Sequence, residues 1–246
     1  MSATILAIGT ARPRSMRQVD AAIASREFSC SDERQARLLA TVFQRSEVIT
    51  RSSVILEEPN GVPIRQSFYP AATTPDDRGP TTRQRMERYA ADAPVLAMQA
   101  ARAALDEAAV SPTSITHLVT VSCTGFSAPG VDLQLISGLG LSSATQRVHV
   151  GFMGCHGAIN GLRVAQALAE SSLGACILLC AVELCSLHFY YSWDLEKVKA
   201  NALFSDGAAA AVITSSAADW QVRATGSLLL PDSREAMGWT IGDHGF

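Results

Sequence analysis

The run Gly151-Phe152-Met153-Gly154-Cys155-His156-Gly157-Ala158 sets one cysteine between an apolar, β-branched segment and a stretch with apolar side chains at helical spacing. The pattern predicts a strand over Arg147 to Phe152, a helix over Ala158 to Glu170, and Cys155 at or beside the helix N-terminus. Unpaired backbone N–H groups and the positive end of the helix dipole favour a thiolate there, which is the nucleophilic form of the side chain. Glycines at 151, 154, 157 and 161 form neither G-x-G-x-x-G nor a P-loop. They are read as permitting a tight strand-to-helix turn and close packing beside the thiol, a geometry that resembles a nucleophile elbow without its G-x-S-x-G wording.

A nucleophilic cysteine calls for a base and an oxyanion site. Among the five histidines, His156 is adjacent in sequence, and helical neighbours do not face one another. His149 reads as a satisfied structural histidine on a strand, His117 as a surface or edge residue beginning another, and His188 and His244 as candidate cavity-wall residues in loops. None is a convincing internal base for Cys155.

The elements around the thiol follow from periodicity. A short buried strand is expected at Ile5 to Ile8, then a helical region from Arg17 to Val48 broken near Ser29 to Asp32, with Asp32 as an N-cap. Glu57 to Thr82 is rich in proline and glycine and reads as irregular surface or lid. Arg83, Arg85 and Arg88 open a helix whose later turns, Val95 through Met98 to Leu105, carry an apolar stripe; a charged face of this kind is a candidate to approach anionic groups or is simply solvated. Strands are expected at His117 to Ser122, Cys176 to Val182, Ala208 to Thr214 and Val222 to Leu230, with a short helix at Leu133 to Leu139. The alternation predicts an α/β chain with a largely parallel sheet covered on both faces.

With 246 residues, 48% hydrophobic and 17% charged, the chain can bury a substantial core in one large domain or two small ones. A net charge of −3 offers no basic field for nucleic acid, although a local basic mouth for an anionic ligand stays open. The longest apolar run, Ala175 to Val182, is far short of the ~20 residues that span a bilayer, and the N-terminus lacks a basic leader, so a cytoplasmic location is the expectation. Six cysteines without a CxxC pair are expected as reduced thiols, with Cys176, Cys180 and Cys185 as small hydrophobes and no metal site.

Together with Cys123-Thr124-Gly125-Phe126, Pro129-Gly130 and Leu203-Phe204-Ser205-Asp206-Gly207-Ala208-Ala209-Ala210, the cysteine motif resembles the type III polyketide synthases, the chalcone and stilbene synthase family, over nearly the whole chain. The wording Cys-Thr-Gly-Phe and Gly-Phe-Met-Gly-Cys-His-Gly-Ala is closer to the bacterial alkylpyrone and alkylresorcinol branch than to the plant flavonoid enzymes. The resemblance implies a thiolase-like α/β fold of αβαβα layers, built from two similar halves and assembled as a homodimer. On that reading residues 1–225 form the N-terminal half and 226–246 begin the second.

The resemblance also implies a reaction. Cys155 accepts an acyl group from a starter acyl-CoA, malonyl-CoA supplies a carbanion equivalent on decarboxylation, and repeated condensation precedes cyclisation to pyrones or resorcinols, with no cofactor beyond the CoA thioesters. Phe204 and Phe246 match gatekeeper phenylalanines, Cys123, Thr124 and His188 match cavity-lining positions, and Arg45 matches a candidate contact for CoA phosphates. Ala128 stands where plant enzymes place an interface methionine. The family's catalytic histidine and asparagine belong to the second half and have no match before Phe246, so the chain is expected to be a fragment whose activity alone is open. The rival readings are a priming 3-oxoacyl-carrier-protein synthase, which shares the cysteine placement, and a non-catalytic half-fold that needs a partner chain.

Overall fold

The computed structural model describes residues 2–58, 65–74, 76–216, 219–233 and 235–246. In chain order the elements are β1 (Thr4–Ala11), β2 (Ser15–Arg17), α1 (Gln18–Ser29), α2 (Glu33–Arg45), β3 (Thr50–Ser52), β4 (Leu56–Glu57), β5 (Arg65–Gln66) and α3 (Thr82–Ala108). They continue with β6 (His117–Ser122), α4 (Val131–Leu139), β7 (Gln146–Gly151), α5 (Gly157–Ser171), β8 (Cys176–Leu184), α6 (Leu195–Leu203), β9 (Asp206–Thr214) and β10 (Trp220–Gln221). Single 3-10 turns occupy Pro112–Ser114, Gly154–His156 and Cys185–His188. These divide into two compact units, one of Met1–Ala11, Ala90–Glu183 and Ala208–Thr240, the other of Arg12–Tyr89, Leu184–Gly207 and Ile241–Phe246.

The first unit is built on a six-stranded sheet in the order β10-β1-β9-β8-β6-β7. β6 runs parallel to both β7 and β8, because α4 and α5 supply the long crossovers that parallel neighbours require. β1 pairs antiparallel with β9 and with β10, so the sheet is mixed rather than largely parallel. Cover on both faces is borne out. Val119, Val121, Ile177 and Leu179 pack under Ala165 and Ala169 of α5, while Gly9 and Cys180 meet the backbone of α3, the Cys180 thiol donating to the Ala97 carbonyl at 3.7 Å. Every residue of β6 is consequently buried.

Two expectations in this unit are corrected. His117 is buried at the head of an inner strand, its Nδ1 bonded to Thr116 Oγ1 at 2.8 Å; it is not at an edge, because β6 is flanked by a strand on each side. The strand expected over Val222 to Leu230 is reduced to Trp220–Gln221. Beyond the bond from Val222 N–H to Ala3 O, the chain leaves the sheet, and Leu228, Leu229 and Leu230 are 83%, 89% and 61% exposed.

The second unit packs α1, α2 and α6 around Ala21, Ala22, Leu39, Phe43, Val198 and Ala202. Asp32 caps α2 by accepting from Gln35 N–H at 2.8 Å, as its sequence position predicts, and Asp194 caps α6 in the same way. Short ladders join β2 to β3 and β4 to β5. Of the proline- and glycine-rich segment, 59–64 and 75 lie outside the described residues. Its described part folds over an aromatic cluster of Phe28, Tyr69, Phe189 and Tyr191.

The arginine group at the start of α3 is not one charged face. Arg83 is exposed, Arg88 donates to Val54 O at 2.9 Å, and Arg85 is 0% exposed. The Arg85 guanidinium donates to Pro80 O (2.9 Å), Tyr69 Oη (2.9 Å), Leu187 O (2.5 Å) and Phe189 O (3.1 Å) and lies over the Tyr69 ring. Arg85 is therefore a structural cation, because its Nε and Nη1 donate to carbonyls and a hydroxyl of the segments packed around it.

Candidate active site

The turn that carries Cys155 is assembled at the C-terminal ends of β6, β7 and β8. Parallel register puts Ser122 opposite Gly151 and Val121 opposite both Val150 and Ala181, so the residues following each strand emerge at one end of the sheet. Leaving β7, the chain takes left-handed conformations at Phe152 (φ 56°) and Gly154 (φ 66°). A phenylalanine in this region is strained and needs support from outside the turn. Phe152 N–H donates to Ser122 O at 3.2 Å. After the 3-10 turn at Gly154–His156, α5 begins at Gly157. A Cβ at Gly157 would lie 2.9 Å from Val121, and one at Gly161 2.8 Å from Val121 and Leu179, so these glycines let the helix start directly on the sheet. Cys155 is thus beside a helix N-terminus and exposed.

Cys123 and Thr124, on the loop leaving β6, belong to the same corner. Their anchor is Glu183, near the end of β8. The carboxylate accepts from Cys123 N–H (2.9 Å), Thr124 N–H (3.0 Å), Thr124 Oγ1 (2.6 Å) and Ser122 Oγ (3.3 Å). Cys123 lies near both this carboxylate and Cys155. Burial, reinforced by the negative charge of Glu183, pushes the Cys123 thiol up to about 12. It stays protonated at neutral pH. His149 shares a 2.9 Å bond with Thr120 Oγ1, in keeping with a structural role. Phe126, Phe152 and Trp239 add an exposed aromatic surface to this unit, with ring centroids 6.2 Å apart for Phe126 and Phe152 and 5.7 Å for Phe152 and Trp239.

The second unit carries the other predicted residues. His188 and Phe246 stack with centroids 4.1 Å apart, and Phe246 N–H donates to His188 Nδ1 at 3.2 Å. The tail is tied down by Thr82 N–H to Asp243 O (2.7 Å) and by His244 Nδ1 to Gly79 O (3.0 Å). Phe204 ends α6, 37% exposed, with its carbonyl accepting from the buried Arg51. Next to it, Ser205 bonds both ways with Ser52, and Asp206 accepts from Val54 N–H (2.8 Å), Ser186 N–H (2.8 Å) and Ser186 Oγ (2.6 Å). An open polar cleft of about 500 Å³ is lined by Arg12, Pro13, Ser15, Thr50, Ser52, Ser205 and Asp206. Arg45 is exposed on the last turn of α2.

Sequence reasoning did not single out Glu183 or Arg51. For Glu183 a signal was present: it is the single acid in the apolar run of β8, and an acid so placed needs donors. Arg51 gave none, since an isolated arginine in a polar stretch reads as surface.

Residues 1–217 match the family model "Chalcone and stilbene synthases, N-terminal domain". The chain is 36% identical over 216 residues to "Type III polyketide synthase C" of Arabidopsis thaliana, covering 86% of this chain and 54% of that one. It is 34% identical over 211 residues to "Alpha-pyrone synthesis polyketide synthase-like Pks18" of Mycobacterium tuberculosis, covering 86% and 51%. It spans about half the length of these two curated relatives. Among solved structures, the C-terminal type III polyketide synthase domain of Steely1, a type I/III hybrid from Dictyostelium, superposes with a TM-score of 0.84 at 27% identity, covering 100% of this chain and 66% of that one. Among the described residues no helix is long and apolar enough to cross a membrane. The fold is thiolase-like α/β, and the chain belongs to the chalcone and stilbene synthase family, the type III polyketide synthases.

Proposed function

We propose that Cys155 is the acyl-carrying thiol of a decarboxylative condensation that uses an acyl-CoA starter and malonyl-CoA. The observation that carries the reading is the placement of Cys155: an exposed thiol at the entry to α5, beside a second thiol held protonated. Transfer forms a Cys155 thioester and releases CoA as its thiol. Decarboxylation of malonyl-CoA then releases CO2 and supplies the carbanion equivalent, which attacks the thioester carbonyl and expels the Cys155 thiolate, leaving the extended chain on CoA. Similarity to the mycobacterial α-pyrone relative favours pyrones as products, and the resemblance of the cysteine motif to the alkylresorcinol branch adds resorcinols as the alternative.

In this reading Cys123 and Thr124 are cavity-lining residues of the first unit, and in the second unit His188 holds a cavity-wall position and Phe204 and Phe246 hold gatekeeper positions. The polar cleft at Arg12, Thr50 and Ser205 favours a polar, phosphate-bearing arm of the ligand near Phe204, and Arg45 is a further phosphate contact. Residues 1–225 are one thiolase-like half and 226–246 the start of the next, so condensation as well as loading calls for groups outside Cys155. CoA thioesters make the cytoplasm the place of reaction. The homodimer is supported by β7, an edge strand whose Gln146, Arg147, Val148 and His149 are all exposed.

Incubation with a fatty acyl-CoA, followed by peptide mass spectrometry, tests the central step. Acyl mass on the Cys155 peptide, absent in Cys155→Ala, is expected; acylation elsewhere or none refutes it. Addition of malonyl-CoA separates loading from condensation, and light scattering distinguishes a mass of 26.1 kDa from twice that value.

A further inference from the structure

We propose that Arg51 is a positioning residue for Phe204: from β3 its guanidinium fixes the backbone on which that ring is presented to the CoA thioester. This deepens the reading of Phe204 as a gatekeeper and rests on it. Within the second unit, the chain leaving α6 is tied to β3 and the residues just after it at successive points. Arg51 Nη2 donates to the Phe204 carbonyl. Ser205 Oγ accepts from Ser52 N–H at 2.8 Å and donates to Ser52 O at 2.6 Å, and Asp206 Oδ2 accepts from Val54 N–H at 2.8 Å. The last turn of α6 is held as well: Gln18 Nε2 donates to Ala202 O at 2.8 Å while Gln18 Oε1 accepts from Arg51 Nη1 at 3.3 Å.

Phe204 needs such a tie. It is the residue at which α6 ends, extended at φ −85° and ψ 145°, so its carbonyl points out of the helix and takes no part in the helical ladder. Its ring is 37% exposed, whereas Arg51 is 4% exposed. Thr50 and Ser52 line the polar cleft, and Arg51 between them on β3 goes to the other side, its guanidinium lying 5.6 Å from the ring centroids of both Phe43 and Phe189. A cation so enclosed is placed to hold protein acceptors rather than a ligand phosphate. The planar fork of a guanidinium serves Gln18 and Phe204 together, which an apolar side chain of the same length does not.

The test is acylation of Cys155 in the full chain by dodecanoyl-CoA at varied concentration, followed by peptide mass spectrometry, with circular dichroism as the check on folding. Arg51→Met should raise the half-saturating concentration about fivefold or more and change the limiting rate by less than about twofold, since the ring that meets the thioester loses its support while the thiol keeps its own. Arg51→Lys, which keeps a donor for the Phe204 carbonyl, should stay within about threefold of wild type. In a Phe204→Ala background Arg51→Met should add less than about twofold, because no ring is left to position. Gln18→Met makes the same comparison through a milder change and decides it where Arg51→Met does not fold: half-saturation should rise about two- to threefold with Phe204 present and stay level in Phe204→Ala. Wild-type half-saturation in the folded variant would overturn the proposal. So would an equal rise in both backgrounds, which marks a general structural effect. Failure of the underlying reading has a different signature: Phe204→Ala alone leaves half-saturation unchanged, or no acyl group passes from dodecanoyl-CoA to Cys155.

Discussion

Replacing Arg85 with methionine measures what a buried cation held by carbonyls and a hydroxyl contributes to the fold. The substitution keeps an unbranched side chain of similar length but removes bonds to the carbonyls of Pro80, Leu187 and Phe189 and to the Tyr69 hydroxyl. Each orphaned buried acceptor costs about 1–3 kcal/mol, so loss of three carbonyl partners sets a destabilising scale of several kcal/mol. Against it stands the desolvation of the guanidinium, itself several kcal/mol, which burial registers by lowering the arginine pKa. One nitrogen, Nη2, has no hydrogen-bond partner, so the cation is not fully compensated. The balance favours arginine by about 2–4 kcal/mol, because four well-placed acceptors outweigh one unpaired N–H group. For a chain of this length that is a fall in Tm of about 5–15 °C. Thermal and urea unfolding of Arg85→Met measure it, with the exposed Arg83→Met expected within about 0.5 kcal/mol of wild type. A methionine variant as stable as wild type would show that desolvation cancels the bonds. An unchanged Tm with a raised KM for acyl-CoA would return Arg85 to the ligand.

Two glycines should differ in how badly they tolerate alanine. A Cβ at Gly9 would lie 2.3 Å from backbone atoms of Ala100 and Ala104, so β1 and α3 must separate, whereas at Gly161 the obstacles are side-chain ends of Leu179 and Val121 at 2.8 Å. Gly9→Ala should cost more than about 3 kcal/mol and Gly161→Ala about 1–2 kcal/mol, helix propensity offsetting part of the latter; urea midpoints in the reverse order would refute the packing argument. Asp206 makes the opposite pH prediction from a salt-bridged carboxylate. Burial raises its folded-state pKa, so between the unfolded value and that higher one the native state holds the extra proton, and stability falls as pH rises through the window. The stability advantage of wild type over Asp206→Asn should therefore shrink from pH 4 toward neutrality, and an advantage that grows would show that the hydrogen bonds from Ser186 and Val54 outweigh burial.

The parts of the molecule readable from its residues are those where local pattern and tertiary demand coincide. β6, β7 and α5 emerge within a residue or two of the predicted bounds: α5 buries Gly157, Gly161, Ala165 and Ala169 at helical spacing, and the β-branched run of β6 is buried throughout. The Cys155 turn is legible for a related reason: Gly154, Gly157 and Gly161 stand where a positive φ or a missing Cβ is required. What was not legible depends on partners remote in sequence. A histidine at the head of a strand carries no mark of whether that strand is inner or edge, which is how His117 was misplaced. Arg85 looks like any helical surface arginine until Leu187 and Phe189, more than a hundred positions away, bring their carbonyls to it. The apolar triplet Leu228 to Leu230 has strand composition but no sheet bonding among the described residues, so composition alone overstated it.

The same distinction explains why chemistry is concentrated at one end of the sheet. β6, β7 and β8 run parallel, so their C-terminal ends deliver three loops to one place, and each brings a different property: Cys123 and Thr124 bring donors, Glu183 a fixed charge, and the strained exit of β7 an exposed thiol. None of the three is distinctive alone. A thiol at a helix entry is commonplace, a buried thiol is usually a small hydrophobe, and an acid in a strand is usually a capped oddity. Their meaning comes from register, which sets Ser122 beside Gly151 and brings Glu183 within reach of Cys123, some sixty positions earlier. With one thiol half-buried and its ionisation opposed by burial and by Glu183, and its neighbour exposed on a supported turn, the register of the sheet places two chemically identical side chains in different environments.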